Sequence, residues 1–140
     1  MKKIVIVNGP NLNLLGSRQT NVYGDKDWDT YFQELQTEFS DHELLYFQSN
    51  DEGELVNVLQ EYGDDADGIV LNAGAYSHTS VAIADAVGAI KAKVICVHIS
   101  LVHKRGEFRH EDLVQEYSDG YISGLGLDGY KFAIEVISNY

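Results

Sequence analysis

The chain has 140 residues, 44% of them hydrophobic and 23% charged, which suits one ordinary globular domain that needs no disulfide or metal to fold. Its single cysteine, Cys96, excludes an internal disulfide framework and favours a reducing compartment. Ten basic against 22 acidic side chains leave a net charge of −12, which repels nucleic acid and anionic membranes, so any phosphate or carboxylate ligand must be held by local donors.

In chain order, an apolar run over 4–7 predicts a first strand and stops at Asn8-Gly9-Pro10. That is too soon for a signal-peptide core, and no later run approaches a membrane span, so a soluble cytoplasmic protein is expected. Trp28, Tyr31, Phe32, Leu35 and Phe39 fall at i, i+3, i+4, i+7 and i+11 and predict a helix. A strand follows at 44–47, then a helical stripe of Leu55, Val58, Leu59 and Tyr62, then a strand at 69–71. Ile83, Ala86, Val87 and Ile90 predict a third helix, 94–97 a fourth strand, 121–122 a weaker fifth, and Tyr130, Ala133, Ile134 and Ile137 a last helix. Continuous apolar strands alternating with amphipathic helices are the pattern of a parallel sheet covered on both faces. With no repeat and no proline-rich linker, residues 1–140 are read as one α/β domain. The expected architecture is a flavodoxin-like three-layer sandwich with a five-stranded parallel sheet and right-handed crossovers.

In such sheets ligands bind beyond the carboxyl ends of the strands, which directs attention to three loops. The first, 8–24, contains Gly9, Gly16 and Gly24, amide groups at Asn11 and Asn13, and the pair Arg18 and Tyr23. A phenol titrates near pH 10 and becomes a base at neutral pH only when a cation or hydrogen bond favours the phenolate, a part open to Arg18. The same residues also suit a surface loop with a packing tyrosine and a solvated arginine. The second loop, 72–79, sets small residues where a ligand can approach backbone and enters a helix through Thr79 or Ser80 as N-cap. Amides at that helix start favour a carboxylate. Within this loop His78 either donates a hydrogen bond or caps the turn, and Asn72 either meets ligand or braces the loop. The third, 98–110, joins His98 to Ser100, Lys104, Arg105 and Arg109, the one dense basic stretch of an acidic chain. A strand-end histidine suits acid or base chemistry, and it equally suits a buried position satisfied by backbone.

Other motifs lead nowhere. Gly124-Leu-Gly126-Leu-Asp-Gly129 spells GxGxxG, but too few residues follow for a second strand and a ribose-binding acid, so tight packing of the last helix is expected. His98, His103 and His110, with Glu107, match no standard ligand spacing, and no metal is expected. There is no nucleophile elbow and no Walker loop. Asn8 and Asn72 stand where a phosphoacceptor domain needs aspartates.

Taken together, Asn8-Gly-Pro-Asn-Leu-Asn-Leu-Leu-Gly16 with Arg18 and Tyr23-Gly24, then Gln48-Ser-Asn-Asp-Glu-Gly-Glu-Leu55, Asn72-Ala-Gly-Ala-Tyr-Ser-His-Thr-Ser-Val-Ala82 and Val97-His-Ile-Ser100 resemble the type II 3-dehydroquinate dehydratases. The resemblance extends to Gly-Leu-Gly at 124–126. It implies conversion of 3-dehydroquinate to 3-dehydroshikimate and water in the shikimate pathway of aromatic amino-acid biosynthesis, without metal or organic cofactor, in a dodecamer built from trimers. By the same resemblance Tyr23 is the base, with Arg18 lowering its pKa. Asn11 holds the water that stabilises an enolate, and His98 protonates the departing hydroxyl. Asn72, His78, Arg109 and the backbone at Ile99 and Ser100 bind substrate, Asp85 reaches a neighbouring subunit's site, and the first loop acts as a lid.

Two positions depart from the family pattern: Cys96 replaces a glutamate two residues before the histidine, and Leu101 replaces an asparagine after Ile-Ser. Loss of that carboxylate deprives His98 of an orienting partner, so a working but impaired dehydratase is expected. The alternative is a non-catalytic relative that binds a cyclic polyol acid or a partner protein. A flavin carrier is a weaker alternative, because the first loop lacks a Ser/Thr-rich phosphate cradle.

Overall fold

The computed structural model describes residues 1–16 and 26–140. Strand β1 (Lys3–Asn8) is β-branched and wholly buried from Ile4 onward, and it leads into a 3-10 turn at Leu12–Leu14. Helix α1 (Trp28–Glu38) begins where the Asp27 carboxylate accepts from the Thr30 amide at 2.8 Å. Strand β2 (Glu43–Gln48) precedes α2 (Glu52–Tyr62), whose free first-turn amides at Gly53 and Glu54 donate to Asp51. Strand β3 (Gly68–Asn72) runs into a 3-10 segment, Gly74–His78. Of the two expected caps, Ser80 is the one used: its hydroxyl accepts from Ile83 N at 2.9 Å and starts α3 (Val81–Ala89). Strand β4 (Lys93–His98) is followed by 3-10 turns at Val102–Lys104, Glu107–Arg109 and Val114–Tyr117, then by β5 (Gly120–Ser123) and α4 (Asp128–Ser138).

All pairings are parallel and the strand order is β2-β1-β3-β4-β5, the flavodoxin-like order. Because strand side chains alternate, Ile4 and Ile6 of β1 face one way, with Trp28, Leu35, Tyr130, Ile134 and Ile137 of α1 and α4. Val5 and Val7 face the other way, with Leu55, Leu59, Ile83 and Val87 of α2 and α3. The expected three-layer sandwich is therefore present. A Cβ on Gly129 would stand 3.1 Å from Val97 Cγ1, so that glycine lets α4 close onto the sheet, as the reading of the GxGxxG segment requires. No described helix is long and apolar enough to cross a membrane.

The chain leaves β1 on one side for β2 and returns on the other as β3. The order of strands therefore reverses between β1 and β3, whose last residues, Asn8 and Asn72, lie side by side in register. The site is built at this end of the sheet.

Candidate active site

A buried triad of polar side chains underlies the switch point. The Tyr130 hydroxyl donates to Asn8 Oδ1 at 2.8 Å and accepts from Asn72 Nδ2 at 2.8 Å. Burial first of all drives the Tyr130 pKa far above its ordinary value, so it stays a neutral donor. Asn72 Oδ1 also accepts from Gly74 N at 3.1 Å, and its carbonyl accepts from Gly9 N at 2.7 Å. Of the two readings of Asn72, the loop brace is the one its side chain carries out, and the residue also borders the cleft above.

That cleft lies beyond the carboxyl ends of β1, β3 and β4, where all three loops meet. The first loop supplies Pro10, Asn11 and Leu12; the second, Asn72, Gly74 and Ala75; the third, His98, Ile99, Ser100, Val102, Arg105 and Arg109. Asn11 adopts a left-handed backbone, φ 70°, which asparagine tolerates better than most residues, and its amide donates to Asn50 Oδ1 at 2.9 Å. Gln48 Nε2 braces the same turn through Gly9 O at 3.1 Å. Ser100 Oγ accepts from Arg105 Nη1 at 3.3 Å, and the Arg109 guanidinium lies 5.0 Å over the Phe108 ring. Two guanidiniums thus line a cleft in a protein of net charge −12, giving a carboxylate a local partner that the overall charge does not.

His98 ends β4 and is buried. Its Nε2 lies 2.9 Å from Asp112 Oδ2, with both side chains only 7% exposed. The expected loss of an orienting carboxylate is thereby corrected: Cys96 carries none, but Asp112 reaches the ring from the segment after the Glu107–Arg109 turn. The imidazole is satisfied by a side chain, not by backbone as its bland reading had it. Burial, then the Asp112 charge, push the Cys96 thiol up to about 12, so it stays protonated. Leu101 is 41% exposed and does not border the cleft, so its effect on the acid side is remote.

His78 stands behind this pair. Its Nδ1 contacts Glu111 O at 2.7 Å, its ring is stacked 5.9 Å from that of His98, and its buried Nε2 has no partner among the described residues. It does not itself border the cleft. Asp85 is exposed on α3, away from the cleft. His103 and His110 stack on each other at 5.6 Å, separate from the His98 pair. Arg18, Tyr23 and the 17–24 part of the expected lid lie outside the described residues.

The structure therefore brings Asn11, Asn72, His98, Ile99, Ser100 and Arg109 to one cleft, adds Arg105 to its lining, and places Asp112 and Tyr130 behind it as partners of His98 and Asn72. Arg105 was visible in sequence as part of the basic stretch. Tyr130 was visible only as one member of a helical stripe. For Asp112 the sole local signal is capping, since its Oδ1 accepts from Gln115 N at 3.0 Å.

The family model described as dehydroquinase class II matches residues 2–138. A 3-dehydroquinate dehydratase of Bacillus licheniformis is 48% identical over 99% of this chain and 97% of its own length. Among solved structures, a type II dehydroquinase from Butyrivibrio crossotus is similar with a TM-score of 0.94 and 40% identity, covering 98% of this chain and 97% of that one. One from Propionibacterium acnes has a TM-score of 0.96 and 34% identity over 100% and 98% of the two chains. Fold, cleft and sequence thus converge, and the chain belongs to the class II dehydroquinase family.

Proposed function

We propose that this protein dehydrates 3-dehydroquinate to 3-dehydroshikimate and water through an enolate, as a cytoplasmic enzyme of the shikimate pathway. The observation that carries this reading is a buried histidine, paired with a carboxylate, at the wall of a cleft that also holds two arginines and the Asn11 amide. Removing a weakly acidic proton and expelling hydroxide in separate steps requires a base and an acid on different sides of one substrate. Tyr23 is the proposed base, with Arg18 favouring its phenolate, and it takes the proton alpha to the ketone. Asn11 holds the water that donates to the enolate oxygen. His98 then gives a proton to the departing hydroxyl. Arg109, the Ile99 and Ser100 backbone, Asn72 and His78 complete the proposed substrate site, and this chemistry needs neither metal nor cofactor.

The family resemblance further supports a dodecamer of trimers, with exposed Asp85 reaching a neighbouring subunit's cleft; sedimentation mass reads that assembly. The direct test of the base is Tyr23→Phe. Turnover is expected to fall by about 10²–10⁴-fold, while 3-dehydroshikimate still raises the unfolding temperature as it does for the parent. Near-normal turnover would require a different base.

A further inference from the structure

Asp112 lies 14 residues beyond His98 in sequence, on an irregular segment whose neighbouring residues are hydrogen-bonded on both sides of it. On one side of it Glu111 O contacts His78 Nδ1 at 2.7 Å, and on the other Leu113 N donates to Ser77 O at 2.8 Å. Its own Oδ1 accepts from Gln115 N at 3.0 Å, which leaves Oδ2 directed at His98 Nε2. A buried carboxylate is tolerable only when its oxygens are hydrogen-bonded, and here each has a partner. Cys96 and His98 share one face of β4, since strand side chains alternate, so the thiol lies beside the His98–Asp112 contact. Burial, then Asp112, push the Tyr121 phenol up to about 12, as they do the Cys96 thiol. Both neighbours therefore stay neutral and leave the carboxylate to the imidazole.

We propose that Asp112 is the positioning residue for His98: by accepting from Nε2 it fixes the ring and turns Nδ1 to the substrate, which makes a carboxylate at position 96 dispensable. The inference rests on His98 being the acid. In the step it serves, the enolate electrons re-form the carbonyl as the carbon–carbon double bond forms and the C–O bond breaks. The ring enters this step protonated on both nitrogens: its Nδ1 proton goes to the leaving oxygen as water departs, Nε2 keeps the proton it shares with Asp112, and Asp112 stays ionised throughout.

The test compares the parent, Asp112→Asn, Asp112→Asn with Cys96→Glu, and His98→Asn on 3-dehydroquinate, with thermal melts confirming that each is folded. Asp112→Asn keeps the cap to Gln115 but replaces the carboxylate acceptor at Nε2 with a donor, so the doubly protonated ring that the step uses loses both its acceptor and its counter-charge. We expect kcat to fall about 10–100-fold with KM changed less than about threefold, the range for an orienting partner. The downfield imidazole N–H resonance of the parent is lost in this variant. Adding Cys96→Glu returns a carboxylate to the same face and raises kcat at least about tenfold over the single variant, undoing that loss. A kcat of Asp112→Asn within twofold of the parent, or an unchanged resonance, overturns the positioning role. Failure of Cys96→Glu to raise kcat overturns the exchange between the two positions. His98→Asn separates this inference from the reading beneath it: full activity there removes His98 as the acid, whereas lost activity there beside an active Asp112→Asn removes only Asp112.

Discussion

Tyr130 shows how one side chain serves both the core and the site. Its ring is fully buried between α4 and the sheet, in edge contact with Trp28 at 4.8 Å, while its hydroxyl joins Asn8 to Asn72 at the strand ends. Tyr130→Phe keeps the packing and removes a donor to Asn8 and an acceptor from Asn72. Unfolding in urea should show a loss of about 1–3 kcal/mol at unchanged m-value; a loss below about 0.3 kcal/mol would mean that the triad adds nothing to stability. In sequence, Tyr130 carries only the apolar half of this role, because a helical stripe reports which face is buried and not where a hydroxyl ends. Asp112 was hidden for a related reason. Its tie to His98 depends on how an irregular segment folds back, whereas the consequence of Cys96 was reasoned from position along one strand.

At the scale of elements, the strands were legible as continuous apolar runs and the helices because their apolar residues repeat with period 3.6. The small differences fall at helix ends: Phe39 and Ile90 complete their stripes one residue past α1 and α3, as C-caps. The connection after β4 was less legible. Its three 3-10 turns carry the connection on to Asp119, past the expected end at 110, because such short turns have no periodicity to read. The joint between the first and second loops rests on close backbone approach. A Cβ on Gly9 would lie 2.5 Å from Ala73 O, beside the Gly9 N to Asn72 O bond. Gly9→Ala therefore has to spread the two loops that form one wall of the cleft. We expect a stability loss of about 1–3 kcal/mol together with a raised KM for 3-dehydroquinate; unfolding and steady-state kinetics check both, and an unchanged KM would show that the wall tolerates the spread.

For the molecule as a whole, the decisive feature is topological. A parallel sheet that reverses its strand order between β1 and β3 opens a crevice there, and the cleft residues come from loops that leave β1, β3 and β4. Of the proposed site, His98 and Asn72 were legible as strand-end positions, Ser100 and Arg109 as members of the basic loop that follows, and the Ile99 backbone only through the family resemblance. Family membership supports the proposed substrate class, and the described cleft brings a buried histidine together with two arginines. The central claim is tested by mixing the purified protein with 3-dehydroquinate and following ultraviolet absorbance. The account predicts catalytic appearance of the conjugated 3-dehydroshikimate chromophore, slowed about 10²–10⁴-fold in the Tyr23→Phe variant; stabilisation of the protein by substrate with no growth of that absorbance would contradict it.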